Sequence, residues 1–265
     1  MTITLPQLVE GARATLERDR ARCPDPELQA RLRDREGEAG AAQRLRRALG
    51  GPRLDVIAEI KGASPLAGTL QASLEPAALA RAYCEAGAAA VSVLTEERHF
   101  AGHLDHLRAA AAAVTQPVLR KDFIIDPYQI RQAALAGAAA VLLIAEALSA
   151  EQLQDLVGVA HELHLDALVE VHATTSLAAA VASGSGLVGV NNRNLETMEV
   201  DWHHCLNIAA DLPDDVIRVA ESGLGRARQL RQVHAAGYDA VLIGTALVSA
   251  SEPGTALRRL RSEVA

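Results

Sequence analysis

The stretch Val56-Ile-Ala-Glu-Ile-Lys-Gly-Ala-Ser-Pro65 carries an acid, Glu59, and a base, Lys61, at alternate positions of an apolar run. Val56, Ile57 and Ile60 are β-branched residues suited to a covered strand, and residues two apart on a strand share a face. Glu59 and Lys61 therefore project together, which costs free energy in a buried strand unless the charges are paired or used. The pattern recurs along the chain. Lys121 shares a face with Leu119, and Glu170 with Leu168, while two further apolar runs end in Asn191-Asn-Arg193 and Glu221-Ser222. A single charge at a strand end is most often a solvated rim residue. Five strand ends so equipped imply a cluster of Glu59, Glu170, Glu221, Lys61, Lys121 and Arg193, nearly balanced in charge.

Such a cluster suits proton transfer to and from a carbonyl compound. A lysine acting as general acid must be protonated yet release its proton. Burial and the nearby cations Lys61 and Arg193 would lower Lys121 from ~10.4 toward ~7–8. A Schiff-base aldolase is the rival use of the same lysine. Next to these residues, Ser222-Gly223-Leu-Gly225 and Gly244-Thr245 offer hydroxyls and backbone N–H groups where helices begin, the arrangement of a phosphate cradle. A sugar phosphate with a reactive carbonyl fits both halves.

The elements that must bring these residues together are short apolar runs alternating with Ala/Leu-rich helical ones. The strands are expected at 55–61, 90–95, 117–122, 140–145, 166–171, 187–191, 216–221 and 240–244. An internal repeat sharpens the topology. Ala86-Gly87-Ala-Ala-Ala-Val91 recurs as Ala136-Gly137-Ala-Ala-Ala-Val141 and Ala236-Gly237-Tyr-Asp-Ala-Val241, with a weaker copy around Ser183-Gly184. The glycines lie 50, 47 and 53 residues apart, which is two strand–helix units. Each reads as a helix C-cap leading into an even-numbered strand. Four pairs make an α/β fold of the (β/α)8 TIM-barrel type. A doubly wound open sheet would not repeat four times, and no GxGxxG follows the first strand. Residues 7 to about 50 look helical, ending at Gly50-Gly51-Pro52. The expectation is one barrel domain over 1–265, with residues 1–50 as N-terminal flanking helices that serve as lid or border.

Composition narrows the function classes. With 33 acidic and 26 basic residues the net charge is -7, which argues against a nucleic-acid binder. No run approaches the ~18 apolar residues of a membrane span, and Met-Thr-Ile-Thr-Leu-Pro lacks the features of a signal peptide. A cytoplasmic, soluble protein without a membrane partner is expected. The three cysteines, Cys23, Cys84 and Cys205, form no CxxC and suggest neither disulfides nor zinc. Aromatics make up only 2%, so Phe100, Phe123, Tyr128 and Trp202 are informative wherever they fall.

From residue 55 onward the motifs occur in an order that resembles the indole-3-glycerol phosphate synthase family. They are Ile57-Ala-Glu-Ile-Lys with Ala-Ser-Pro, Ser92-Val-Leu-Thr-Glu, Leu119-Arg-Lys-Asp-Phe-Ile-Ile-Asp-Pro-Tyr128, Leu168-Val-Glu-Val-His172, Asn191-Asn-Arg-Asn-Leu195 and Ala220-Glu-Ser-Gly223. The Arg-Lys-Asp-Phe-Ile-Ile-Asp block is the most specific. The resemblance implies ring closure of 1-(2-carboxyphenylamino)-1-deoxyribulose 5-phosphate to indole-3-glycerol phosphate, carbon dioxide and water, a decarboxylating lyase step of tryptophan biosynthesis. It implies no metal or organic cofactor, a small phosphorylated substrate, and compatibility with association with other tryptophan-pathway enzymes.

By the same resemblance, Lys121 is the general acid on the ketose carbonyl. Lys61 and Glu59 serve in charge pairing and dehydration, and Glu170 is a further acid–base residue. Asn191 and Arg193 meet the anthranilate end, while Glu221 and Ser222 complete the wall. Gly223, Gly244 and Thr245, with Ser64 nearby, hold the phosphate, and Phe100 and Phe123 receive the aromatic ring. His172, two after Glu170, is placed to support it. The chain departs from the family pattern at Gly62, where a basic residue is usual, and at Leu66-Ala67, where Ser-Lys is usual. Both departures remove positive charge beside the site. Glu146 reads as a rim residue, although it could face the site. The pairs His103/His106, His161/His164 and His203/His204 read as surface histidines, since no ligand set accompanies them. Arg258, Arg259 and Arg261 suit the end of a last helix. Two other readings stand at this point: another phosphate-binding barrel enzyme, such as a ribulose-phosphate isomerase or Schiff-base aldolase, and a barrel without turnover that serves as a partner in a pathway complex.

Overall fold

The computed structural model describes residues 3–34, 43–64, 68–69 and 74–264. Helices α1 (Leu5–Arg22), α2 (Asp25–Arg33) and α3 (Arg44–Ala48) precede the strands. Strand β1 (Asp55–Ile60) is followed by a two-residue antiparallel pairing, Ala63–Ser64 with Gly68–Thr69. Then come α4 (Pro76–Glu85), β2 (Ala90–Leu94), α5 (Glu97–Phe100), α6 (Leu104–Ala113), β3 (Val118–Lys121), α7 (Pro127–Leu135) and β4 (Ala140–Ile144). After these follow α8 (Ala150–Glu162), β5 (Asp166–Val171), α9 (Thr174–Ala182), β6 (Leu187–Asn191), α10 (His204–Ile208), β7 (Ile217–Glu221), α11 (Ala227–Ala235), β8 (Ala240–Ile243), α12 (Thr245–Val248) and α13 (Pro253–Ser262). The parallel strands close in the order β1-β8-β7-β6-β5-β4-β3-β2. The expected strands are all present, each within two residues of its expected ends. The repeat glycines do what was asked of them: Gly87, Gly137, Gly184 and Gly237 all have positive φ, from 77° to 91°, so the chain turns out of a helix where a side chain would be strained.

Alternation along each strand sorts the core into two. Val56, Ala58, Ile60, Val91, Val93, Val118, Val141 and Leu143 face outward and pack under the helices. Ile57, Leu119, Leu142, Leu168, Leu187, Val219 and Leu242 face inward and fill the barrel. Toward the C-terminal ends this inward set gives way to Glu59, Lys121, Glu170, Asn191 and Glu221. The charged pattern of the sequence is thus the top layer of an otherwise apolar interior.

The N-terminal helices close both ends. At the bottom, Leu45 and Leu49 are fully buried against the inward residues. There the Asp166 carboxylate accepts the Leu45 and Arg46 N–H groups at 2.8 and 3.2 Å, capping α3 from the start of β5. At the top, Leu5, Leu8 and Ala12 of α1 join the same cluster with Phe123 and Met198. The Leu5 N–H bonds the Leu195 carbonyl at 3.0 Å, and Arg18 makes a two-pronged pair with Glu97 at 2.6 and 2.8 Å. Exposed pairs contribute little, so apolar burial, at about 25 cal/mol per Å², does most to hold α1 down. Within the stretch from residue 7 to about 50 that was expected to be helical, α1, α2 and α3 are present; residues 35–42 lie outside the described residues.

Candidate active site

The inward residues at the strand tops meet where the sequence placed them. Lys61 Nζ lies 2.7 Å from Glu59 Oε1, both side chains largely buried. Lys121 Nζ sits between two carboxylates, 2.9 Å from Glu170 Oε2 and 2.7 Å from Glu221 Oε2. Asn191 Nδ2 donates to Glu170 Oε1 at 2.8 Å, and Asn191 Oδ1 accepts the Arg193 N–H at 2.9 Å. Arg193 crosses the mouth and donates through Nη1 to the Met198 carbonyl at 2.8 Å. Space is reserved for this cluster by missing side chains. A Cβ on Gly189 would lie 2.2 Å from Glu221 Oε1, and one on Gly244 would lie 2.0 Å from Glu59 Oε1.

The electrostatics correct one expectation. Burial acts to lower Lys121, but Glu170, Glu221 and Glu59 together outweigh it and hold the ammonium above the ordinary lysine value. The anticipated depression by Lys61 and Arg193 does not occur, because Lys61 is spent on Glu59 and the nearest groups to Lys121 are carboxylates. A lysine held protonated in this way is a poor Schiff-base nucleophile. The two carboxylates divide by their donors. Burial pushes Glu170 up, yet Lys121 and the bond from Asn191 bring it below the ordinary range. Glu221 has no donor on its buried Oε1; burial, against the pull of Lys121 and with the charge of Glu170 added, pushes it up to about 8.

That asymmetry has a stability consequence. Between the ordinary carboxylate range and about pH 8, folded Glu221 keeps a proton that the unfolded chain releases. Stability should therefore fall as pH rises through this window, by up to one proton's worth, about 1.4 kcal/mol per pH unit. Glu170, depressed, acts only below the window, and Lys121, raised, only above it. Thermal unfolding of Glu221→Gln from pH 5 to 8.5 should show a flatter dependence than the parent; an unchanged slope would mean that Glu221 does not carry this proton.

Two connected hollows open at the cluster. The first is lined by Phe100, Phe123, Leu8, Leu142, Ile144, Leu195 and Met198 on one side, and by Glu59, Lys61, Lys121, Glu170, Asn191 and Arg193 on the other. An apolar wall facing a few convergent polar groups suits a small organic ligand. The Phe100 and Phe123 rings lie 6.4 Å apart. Phe100 is set in place by Glu96, whose carboxylate accepts the Arg98, His99 and Phe100 N–H groups and so caps α5. The second hollow shares Glu59, Lys61, Lys121, Arg193 and Ser222, and continues along Gly223, Gly225, Gly244 and Thr245. Here Ser222 and Gly223 both adopt left-handed backbone, φ 65° and 72°. Asn192 holds this turn by donating to the Ser222 carbonyl at 3.0 Å. Gly225 falls short of its expected role, since its N–H is taken by Gln229 Oε1 at 3.2 Å.

Other assignments shift in detail. His172 supports Glu170 only indirectly: its Nδ1 donates to the Asn191 carbonyl at 2.8 Å, and Asn191 in turn holds Glu170. His204 is not a surface histidine. It stacks on His172 with ring centroids 4.3 Å apart and donates Nε2–H to the His172 carbonyl at 2.6 Å. His106 is half-buried, and burial lowers its pKa. Glu146 is a rim residue, accepting the His172 and Ala173 N–H groups at 2.9 and 3.0 Å ahead of α9. Gly62 is buried, and a Cβ there would lie 3.2 Å from the Ala101 carbonyl oxygen. The expectations for the Ser64 side chain and for Leu66 and Ala67 lie outside the described residues. The wall residues Leu8, Leu195 and Met198, and Asn192 behind the turn, were not foreseen. Inward alternation alone could have identified Leu142 and Ile144.

A family model for indole-3-glycerol phosphate synthase matches residues 5–260. The chain is 43% identical over 254 residues to the indole-3-glycerol phosphate synthase of Rhodopirellula baltica, covering 94% of each chain. It is 44% identical over 263 residues to that of Micrococcus luteus, covering 97% of each. Among solved structures it is similar to 3-hexulose-6-phosphate synthase from Salmonella typhimurium, with TM-score 0.63 and 12% identity over 80% of this chain and 98% of that one. It is also similar to thiamine phosphate pyrophosphorylase from Pyrococcus furiosus, with TM-score 0.61 and 18% identity over 83% and 97%. At such identities these two likenesses concern the barrel alone.

Proposed function

The chain belongs to the indole-3-glycerol phosphate synthase family, and from that premise we propose how its own residues divide the work. Its reaction is the ring closure, with loss of carbon dioxide and water, of 1-(2-carboxyphenylamino)-1-deoxyribulose 5-phosphate in tryptophan biosynthesis. The observation that carries the assignment of roles is Lys121, a buried ammonium fixed between Glu170 and Glu221 where the apolar and glycine-lined hollows join.

The aromatic ring enters between Phe100 and Phe123, beneath Leu8. Its carboxylate turns toward Arg193, and the phosphate lies along Gly223, Gly244 and Thr245. This stretches the substrate across the mouth and brings the ketose carbonyl over Lys121. As the ring carbon bearing the carboxylate attacks the carbonyl carbon, the C=O electron pair moves to oxygen, which takes a proton from Lys121. The bond to the carboxylate then breaks. Its electron pair restores the aromatic ring, so the barrier is met by positioning and fixed charges. Finally the new hydroxyl leaves as water and a ring proton is removed, steps for which Glu59, paired with Lys61, and Glu170 are placed. Ser222 and Glu221 wall the site. A cytoplasmic location, one unit built of the barrel and its N-terminal helices, and association with other enzymes of the pathway belong to this reading. Among the described residues no helix is long and apolar enough to cross a membrane.

Incubation with the anilino-deoxyribulose phosphate should give indole fluorescence and one carbon dioxide per product. Failure to form product anywhere from pH 6 to 9 would overturn the reading. A borohydride-trapped adduct on Lys121 would favour an aldolase.

A further inference from the structure

The hollow assigned to the phosphate is lined by four cations, Lys61, Lys121, Arg193 and Arg226. Three of them are committed inside the protein: Lys61 to Glu59, Lys121 to Glu170 and Glu221, and Arg193 to the Met198 carbonyl. With Glu221 protonated at neutral pH, those three cations set against Glu59 and Glu170 leave a single positive charge, short of the about -1.5 to -2 that a phosphate monoester carries at neutral pH. The backbone at this edge is also partly spent. Gln229 Oε1 accepts the Gly225 and Arg226 N–H groups at 3.2 and 3.0 Å, and Gln229 Nε2 donates to the Gly223 carbonyl at 3.2 Å. The other side of the mouth supplies no charge at Gly62. Arg226 is exposed, and among the described residues no ion pair or hydrogen bond engages its guanidinium. It stands at the start of α11, on the turn that begins with Ser222 and Gly223.

We propose that Arg226 is a substrate-binding residue: its free guanidinium folds over the hollow lined by Gly223, Gly244 and Thr245 and pairs with the substrate phosphate. This inference rests on the phosphate placement proposed above. A guanidinium presents a planar fork that matches two phosphate oxygens. Because the residue is exposed, it recruits the anion from solvent and contributes to binding, not to the chemical step. The attraction is screened by salt.

The test compares the parent, Arg226→Gln and Arg226→Lys. Inorganic phosphate is the probe, followed by the emission of Trp202, the single tryptophan of the chain, which lines the same hollow. Arg226→Gln should weaken phosphate binding about tenfold and raise KM by a similar factor. The kcat at saturation should stay within twofold, and the salt dependence of kcat/KM should flatten. Arg226→Lys should recover part of the loss, because charge is retained without the fork. Phosphate affinity and KM within twofold of the parent in Arg226→Gln would overturn the proposal, as would a loss confined to kcat. A parent that binds phosphate through Arg226 but forms no indole product would sink the catalytic reading and leave this one standing.

Discussion

Replacing Lys121 with Ala should abolish measurable turnover, with kcat falling by about three orders of magnitude or more, while the hollow along Gly223 and Gly244 still binds phosphate. The expectation follows from what the ammonium does at its position. It is held between the Glu170 and Glu221 side chains, and its charge offsets the net negative charge of that pair. General acid catalysis by one positioned group contributes about 10²–10⁴-fold, and here the same group also neutralises the buried pair. Removing it leaves Glu170 and Glu221 facing each other in a buried space. The cluster then relaxes by taking up a proton, as two close carboxylates do. The variant should therefore fold best in mildly acidic buffer and lose stability faster than the parent as pH rises. Inorganic phosphate titrated against Trp202 emission should give an affinity within twofold of the parent, because Trp202 and the glycine turn lie on the phosphate side. Turnover within tenfold of the parent would remove Lys121 from the role of acid.

The direction of the Lys121 shift also marks the boundary of what could be read from the chain alone. The barrel was legible because its signals are local and repeated. Gly87, Gly137, Gly184 and Gly237 each need a left-handed turn, and each strand alternates between an outward apolar face and an inward one. The membership of the site was legible for the same reason, since period two assigns Glu59, Lys121, Glu170, Asn191 and Glu221 to the inward face at strand tops. Which charges lie within 3 Å of one another is a different kind of fact. Lys121 meets partners 49 and 100 residues away, and sequence spacing does not say that both are carboxylates while Lys61 turns to Glu59. Helix α1 shows the same limit. A flanking helix was expected there, but not that Leu8 would line the aromatic hollow while α3 plugged the opposite end. Gln229 is a third case, a side chain that claims the backbone N–H of Gly225 from within the next helix.

Glu170→Gln should cost about a hundredfold in kcat or more at pH 7 and change the shape of the pH profile, whereas Glu221→Gln should cost far less at the same pH. The two residues both touch Lys121 but differ in charge. Glu170 is held ionised by Lys121 and by the donor from Asn191, whereas Glu221 stays protonated up to about 8. A glutamine at 170 keeps the acceptor for Asn191 Nδ2 and nearly the same volume, so the turn bearing Asn191 and Arg193 should hold. What is lost is the carboxylate as acid–base partner and a major share of the field that keeps Lys121 protonated. With that field weakened, burial acts on Lys121 with less opposition, and its pKa falls. The rate should then decline at alkaline pH in the variant at values where the parent is still flat. A glutamine at 221, by contrast, resembles the protonated acid already present at neutral pH. Measuring kcat from pH 6 to 9.5 in both variants separates the roles. If Glu170→Gln kept kcat within threefold and an unaltered profile, Glu170 would be a counter-ion alone, and the proton traffic of the later steps would fall to Glu59 and Lys61.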